Sequence, residues 1–141
     1  MKALIIGGCG FIGSHVVDTL LARGEKVRVL DRRAEQFRTP LPGVEYVMCD
    51  LADTAQIYEA LAGVDAVVHL AAQAGVRHSI EAPRDYVEAN LIGTLELLEA
   101  ARAYPPAHML LASTSSVYGS NTEMPYAETH KVDTQMSFYA A

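Results

Sequence analysis

The chain has 141 residues, of which half are apolar and a fifth are charged. This length and composition are typical of one folded globular domain, and they exclude a disordered segment or a small fold built on disulfides. The formal net charge of −6 provides no basic surface for a phosphate backbone, so we expect no nucleic-acid partner.

The remaining composition argues against membranes and metals. No apolar run approaches the roughly 20 residues that a membrane helix needs, and Met1 leads directly into a strand with no room for a signal peptide. We therefore expect a cytoplasmic protein. The histidines are scattered, and Cys9 and Cys49 lack a CxxC spacing, which predicts two free, buried thiols and no metal site.

The first predicted strand, residues 3–6, runs directly into a glycine-rich stretch. Apolar residues then recur with helical spacing up to Gly24, which is suited to a left-handed helix end. A second strand covers residues 26–30 and ends on Asp31, and a third covers 44–48. Asp53 and Gln56 form a predicted capping box for a short helix that Gly63 ends.

The second half of the chain continues the alternation. Strand four covers residues 66–70, and a long helix begins at Pro83 and ends at 104–106. Its predicted apolar stripe consists of Val87, Leu91, Leu95 and Leu98. Strand five covers residues 108–112, and a further helix starts at 137–139.

These alternating elements predict one α/β domain over residues 1–141, of the Rossmann type. We expect three layers, αβα, around a mostly parallel sheet of strand order 3-2-1-4-5 with right-handed crossovers. This order leaves strand five as an edge, through which copies of the chain could self-associate, or pairs it with something this chain lacks.

The glycine-rich stretch GGCGFIG gives the pattern G-x-x-G-x-x-G between a strand and a helix. Gly7 permits the tight turn, Gly10 lets backbone approach a pyrophosphate, and Gly13 lets the helix pack closely on the strand. Phe11 and Ile12 open the helix, whose N-terminal end favours anions. The pattern predicts a dinucleotide site, the alternative being glycines that only shape a turn.

Asp31 indicates which dinucleotide binds. It lies 18 residues after Gly13, at a strand end where an acid accepts hydrogen bonds from ribose hydroxyls, and this favours NAD over NADP. Arg32 and Arg33 leave NADP as the alternative, because an arginine here can hold a 2′-phosphate. They can equally form a solvated basic turn.

Five motifs carry a resemblance that spans essentially the whole chain. In order they read GGCGFIGSH, CDLAD, HLAAQAGVRHS, NLIGT and STSSVYG, and they are similar to those of extended short-chain dehydrogenase/reductases. The run HLAAQAGVR, with MP and VD before SFYAA, most resembles the UDP-glucuronate 4-epimerase branch of the NAD-dependent epimerase/dehydratase family.

The resemblance implies further cofactor-side residues. Asp50 and Leu51 would lie against the adenine, and a second group would border the central part of the cofactor. That group is Leu70, Ala71, Ala72 and Gln73. Asn90 resembles the helix asparagine that braces the neighbouring strand. Packing at strand ends is the alternative reading of these positions.

The same resemblance implies the chemistry. Tyr139 resembles the tyrosine of a Tyr-x-x-x-Lys motif, Thr114 or Ser115 resembles its hydroxyl partner, with Ser116 as a competitor, and Ser115 would also face substrate. The phenolate would take a proton from a sugar hydroxyl as hydride moves to the nicotinamide, so its pKa must fall from about 10. Arg77 resembles a substrate-side residue, or is a surface arginine.

The motif's lysine would fall two residues beyond Ala141, and the later strands and the nucleotide-sugar-binding portion are not in this sequence. We therefore expect Tyr139 to fray and this chain alone to show little turnover. Three hypotheses remain. The chain is part of an enzyme that epimerises a nucleotide sugar through a 4-keto intermediate, an NAD-binding module without redox activity, or a self-associating protein.

Overall fold

The computed structural model describes residues 1–33 and 39–141, and within them one parallel sheet forms the centre of the molecule. Its order is β3-β2-β1-β4-β5, as predicted. The strands are β1 (Lys2–Ile6), β2 (Lys26–Asp31), β3 (Glu45–Met48), β4 (Ala66–His69) and β5 (His108–Leu111). Ile6 pairs with Leu30 on one side and with His69 on the other, so the carboxyl ends of the three central strands lie side by side.

Helices cover both faces of this sheet. They are α1 (Phe11–Ala22), α2 (Thr54–Leu61), α3 (Val76–Glu81), α4 (Pro83–Tyr86) and α5 (Gly93–Ala103), with a π-helical segment (Val87–Ile92) before α5 and a 3₁₀ turn (Ser115–Tyr118) after β5. Ile5 packs in one core with Val17 of α1, whereas Leu4 packs in a second core with Leu97 of α5. Because neighbouring strand residues point to opposite faces, this division confirms the predicted three layers.

The predicted capping box of α2 is present in altered form. The Asp53 carboxylate accepts the backbone N–H of Gln56 at 3.3 Å, as expected. The Gln56 side chain returns to the Asp53 carboxylate at 2.7 Å and not to its backbone. The Asp53 N–H is already bonded to the Asp50 carbonyl, at 2.9 Å, and so has no need of the usual return bond.

The apolar stripe predicted for one long helix was wrong. Leu91, Leu95 and Leu98 are 56%, 55% and 42% exposed, and α5 instead buries Leu97 with Gly93 and Ala100. A π-helical segment, which the helical periodicity did not predict, directly precedes α5. The short α3, which precedes it, was also not predicted.

A buried arginine ties β2 to the end of α2. The Arg28 Nη1 donates to the carbonyls of Ala60 at 2.6 Å and Ala62 at 3.0 Å, where helix carbonyls lack intrahelical partners. Its Nη2 lies 2.7 Å from the carboxylate of Glu45 on β3, and Lys2 lies 2.8 Å from the same group. The hydrogen bonds from Arg28 and then Lys2 hold the pKa of Glu45 below its ordinary value.

Other compositional expectations concern thiols, metals and membranes. Cys9 and Cys49 are both buried and neither forms a disulfide, as predicted. Across residues 1–33 and 39–141, no three His, Cys, Asp or Glu side chains come together as metal ligands would. In the same two ranges, none of the helices has both the length and the apolar character required to span a bilayer.

Candidate functional site

The glycine loop is fixed between β1 and α1 by backbone contacts. Gly7 adopts a φ of +83° and donates its N–H to the Leu30 carbonyl at 2.8 Å. The Gly10 N–H donates to the Gly7 carbonyl at 3.1 Å. Helix α1 begins directly after Gly10, whose carbonyl accepts the Ser14 N–H at 2.8 Å. A Cβ on Gly13 would lie 2.1 Å from the Gly7 oxygen, so the helix packs on the loop as closely as predicted.

Asp31 is held by the same loop. It is 8% exposed, its Oδ2 accepts the Cys9 N–H at 3.0 Å, and its Oδ1 accepts the Arg33 N–H at 3.1 Å. Each carboxylate oxygen has a second lone pair for another donor. The carboxylate is therefore oriented at the strand end while it can still accept hydrogen bonds from a ligand.

One cleft lies at this carboxyl edge of the sheet, and it brings together ten of the predicted cofactor residues. These are Gly7, Gly10, Asp31, Arg32, Asp50, Leu51, Leu70, Ala71, Ala72 and Gln73. Leu30, Cys49 and Ala89 also line it and were not predicted, although Leu30 and Cys49 each directly precede a predicted residue. Phe11, Ile12, Gly13 and Asn90 are not among its lining residues.

Asn90 nevertheless acts on the cleft indirectly. Its Oδ1 accepts the Gln73 N–H at 2.8 Å, and its Nδ2 donates to the Gln73 carbonyl at 3.0 Å. This pair of bonds fixes one cleft-lining residue from both sides of its backbone. Asn90 therefore braces the segment that follows β4, in agreement with the structural role that the resemblance implies.

Two buried titratable groups lie in or beside the cleft region. Burial raises the pKa of the Cys49 thiol to about 11, and Asp53 and Asp50 push it in the same direction. The thiol is thus protonated and unreactive at neutral pH. Burial lowers the pKa of His69, whose Nε2 lies 3.2 Å from the Thr94 hydroxyl, so this ring is neutral at neutral pH.

The predicted substrate-side residues lie outside the lining of this cleft. Thr114 caps the 3₁₀ turn by accepting the Ser116 N–H at 3.2 Å, while Ser115 is exposed. Arg77 is exposed in the first turn of α3. Within the described residues, no hydrogen bond joins either hydroxyl to Tyr139, so the structure does not assemble these groups into one hydrogen-bonded set.

Tyr139 is packed in the structure, whereas its position near the last residue of the sequence predicts fraying. Its ring packs edge-on against the ring of Tyr86, with centroids 5.9 Å apart, and the next residue, Ala140, is only 4% exposed. The Ala140 N–H also bonds to the Ser137 carbonyl at 3.1 Å. Burial of these neighbouring side chains holds the tyrosine in place.

Comparison with known proteins shows which family the chain matches. The sequence matches the NAD dependent epimerase/dehydratase family over residues 3–141. A probable UDP-glucuronate 4-epimerase from Rhizobium meliloti (strain 1021) is 42% identical, and the match covers all of this chain and 45% of that protein. The chain thus spans about half the length of the curated relatives it matches.

Solved structures agree with this result. The UDP-glucose 4-epimerase of Thermus thermophilus, in complex with NAD, is 40% identical and superposes with a TM-score of 0.89 over 99% of this chain and 46% of that one. The UDP-glucose 4-epimerase of Thermotoga maritima, solved with UDP-glucose, is 33% identical and superposes with a TM-score of 0.89. This match covers 99% of this chain and 47% of that one.

Proposed function

The chain belongs to the NAD dependent epimerase/dehydratase family, and from that premise we propose that it binds NAD as the N-terminal portion of a nucleotide-sugar epimerase. The observation that carries this proposal is the cleft at the sheet edge, where the glycine loop and Asp31 meet. Residues 1–141 would form the cofactor-binding domain. Sugar specificity and turnover would depend on the length by which the relatives exceed this chain.

The cleft has the features that a dinucleotide requires. Gly10 lines it at the N-terminal end of α1, where backbone N–H groups and the helix dipole favour a pyrophosphate. Gly13 lets the helix approach closely enough to present that end, with Phe11 and Ile12 in the same first turn. Asp31 would accept the ribose hydroxyls, and Asp50 with Leu51 would lie against the adenine.

Asp31 also supports NAD over NADP. Its carboxylate is buried and oriented by two backbone N–H groups, so a 2′-phosphate on the adjacent ribose would place like charges together. Arg32 lines the same cleft and is exposed. Its charge would offset part of that repulsion without providing a substitute for the ribose hydrogen bonds.

NAD held by the glycine loop and Asp31 would supply reversible hydride transfer at the sugar carbon. The phenolate of Tyr139 would take the proton from the sugar hydroxyl, and the hydroxyl of Thr114 or Ser115 would hydrogen-bond the same sugar oxygen. Arg77, exposed on α3, would face the nucleotide sugar. In the chain as given, we expect binding of NAD with little or no turnover.

Calorimetric titration with NAD tests the binding proposal. Gly10 has φ −74° and ψ 173°, which alanine adopts readily, and its Cβ would lie 3.2 Å from the nearest atom, the Gly7 oxygen. Gly10→Ala should therefore fold and bind NAD more weakly, as should Asp31→Ala. Asp133→Ala removes an equal charge from an exposed position and should bind as the parent chain does. Absence of saturable binding by the parent chain at millimolar NAD would refute the proposal.

A second candidate, a self-associating module, is favoured by the outer edge of the sheet. Leu110 and Leu111 on β5 are 47% and 44% exposed, which is unusual for neighbouring leucines on a strand. Pairing between two copies would cover them. Sedimentation at several concentrations tests this candidate, which predicts a dimer that Leu110→Lys dissociates, whereas a strict monomer would exclude it.

A further inference from the structure

Tyr86 is the largest fully buried side chain of the described residues and carries a polar atom into the interior. It lies at the end of α4, directly before the π-helical segment, and is 1% exposed. A tyrosine that only filled space could be replaced by phenylalanine at this depth. Its hydroxyl, however, is used in a specific way.

The Tyr86 hydroxyl holds the loop that follows β4. It donates to the carbonyls of Ala74, at 2.9 Å, and Gly75, at 2.5 Å, so two successive carbonyls share one proton. Gly75 adopts a φ of +109°, a conformation that L side chains rarely take. The loop therefore turns sharply at the point where the phenol anchors it.

Tyr86 and Asn90 act on consecutive loop residues. Asn90 bonds both the N–H and the carbonyl of Gln73, and Tyr86 bonds the next two carbonyls. The two side chains lie four residues apart on one helical run, and Gln73 lines the cleft. A single helical segment thus sets the backbone at one wall of the cleft.

The other side of Tyr86 faces Tyr139. The two rings meet edge-on at 5.9 Å with an interplanar angle of 68°, and the His78 ring packs on Tyr86 at 5.9 Å. The same side chain therefore contacts the cofactor-side loop through its hydroxyl and the tyrosine proposed as proton acceptor through its ring. The two contacts use different atoms and can be removed separately.

We infer that Tyr86 is a positioning residue that sets Tyr139 relative to the Gln73–Gly75 loop, which begins at the cleft-lining Gln73. Its hydroxyl fixes the loop directly after Gln73 and its ring fixes the tyrosine, so that the cofactor and the proton acceptor keep one geometry. The effect on NAD binding and on the proton acceptor rests on the proposed function, whereas the contacts of the Tyr86 hydroxyl and ring do not.

The test compares Tyr86→Phe with Tyr86→Leu in the 141-residue chain. Phenylalanine keeps the ring and removes the hydroxyl, so the amide signals of Gly75 and Val76 should shift in nuclear magnetic resonance spectra while the Tyr139 ring signals stay in place. NAD affinity should fall by up to about tenfold, because Tyr86 acts on the cleft only through the loop that follows Gln73, and the lost hydrogen bond sets the upper limit of the effect. Leucine should in addition move the Tyr139 ring signals.

Tyr58 provides the matched control, since it is partly buried and packs edge-on against Tyr104 at 6.3 Å. Tyr58→Phe should leave the loop amides, the Tyr139 ring and NAD affinity unchanged. If Tyr86→Leu does not fold, Tyr139→Ala tests the same contact from the other side, and it should shift the Tyr86 ring signals.

The inference is overturned if Tyr86→Phe leaves the Gly75 and Val76 amide signals as in the parent chain. It is also overturned if the Tyr139 ring signals do not change in Tyr86→Leu, which lacks the ring. A parent chain that does not bind NAD would remove the proposed function alone. The amide and ring signals would then still decide whether Tyr86 links the loop to Tyr139.

Discussion

The glycine-loop region and the segment after β5 are held in place in different ways. In the first, residues 7–14 and Asp31 are joined by backbone hydrogen bonds and by a backbone-to-backbone approach at Gly13. In the second, the backbone hydrogen bonds of residues 112–141 lie mostly within the segment itself, and Tyr139 meets the rest of the chain through its edge-on ring pair with Tyr86. The cofactor edge is therefore built into the sheet, whereas the position of Tyr139 depends on packing.

The largest effect should come from Gly13→Ala. Its methyl group would lie 2.1 Å from the Gly7 oxygen and 2.7 Å from the Gly8 Cα, so the helix must move away from the loop. We expect a loss of more than about 3 kcal/mol in the free energy of unfolding, together with loss of NAD binding. Urea denaturation and calorimetry measure the two quantities.

Gly24→Ala is the matched control for that substitution. Gly24 has a φ of +75°, but a Cβ there would meet nothing within 4 Å, so only backbone strain is added. We expect a loss of about 1 kcal/mol and unchanged NAD affinity. Equal losses for the two variants would show that the close approach at Gly13 is not what holds the loop.

The second-largest effect should come from Arg28, which joins β2 to α2 and to β3. Arg28→Met keeps an apolar stem but removes the donors to the Ala60 and Ala62 carbonyls, and we expect the free energy of unfolding to fall by about 2–3 kcal/mol. Lys2→Met removes the other cation on Glu45 at the surface and should cost less than about 1 kcal/mol. Chemical denaturation of the two variants gives the comparison, and a larger loss for Lys2→Met would contradict it.

A third, pH-dependent effect should come from His69. Burial lowers its pKa in the folded chain, so the unfolded chain binds the proton more readily. The part of the free energy of unfolding that depends on a neutral His69 is fully present above the pKa of the unfolded chain, about 6.5. It is lost as the pH falls below that value, by at most about 1.4 kcal/mol per pH unit.

Unfolding measured from about pH 7.5 to about pH 5, on either side of that unfolded value, checks this prediction. His69→Gln should remove that part of the pH dependence, while His108→Gln, at an exposed position on β5, should retain it. An identical pH profile for the parent chain and His69→Gln would show that burial of this ring does not contribute.

The smallest effect on NAD binding should come from Gly119→Ala. A Cβ at Gly119 would lie 1.9 Å from the Thr134 carbonyl oxygen, and the residue has a φ of +55°, so the segment around Thr134 must move. We expect a loss of about 2–3 kcal/mol in the free energy of unfolding, but NAD affinity within about twofold of the parent value, because neither residue lines the cleft. A loss of NAD affinity comparable to that of Gly10→Ala would show that the two regions are coupled.

The same contrast explains what the sequence predicts well. The strand order, the glycine loop and Asp31 follow from local patterns, because each lies within or beside a strand whose apolar run is unmistakable. The exposure of Leu91, Leu95 and Leu98 does not, because their spacing is that of a core-facing stripe, whereas the packing of Gly93, Leu97 and Ala100 decides which face of α5 is buried.

Long-range side-chain contacts could not be predicted from the sequence either. Nothing near Arg28 in the sequence indicates that it caps α2, and nothing near Tyr139 indicates a partner as distant along the chain as Tyr86. Cys49 and Ala89 line the cleft only because separate elements converge there. Such residues are found from the packed structure and not from spacing.

A titration of the ¹⁵N-labelled chain with NAD, followed by amide resonances, tests most directly whether NAD binds at the glycine-loop edge. We expect saturable shifts at Gly7, Gly10, Asp31, Leu51 and Gln73, with the amides of Gly24 and Asp133 unchanged. Shifts confined to residues outside the cleft, or no shifts at millimolar NAD, would contradict it.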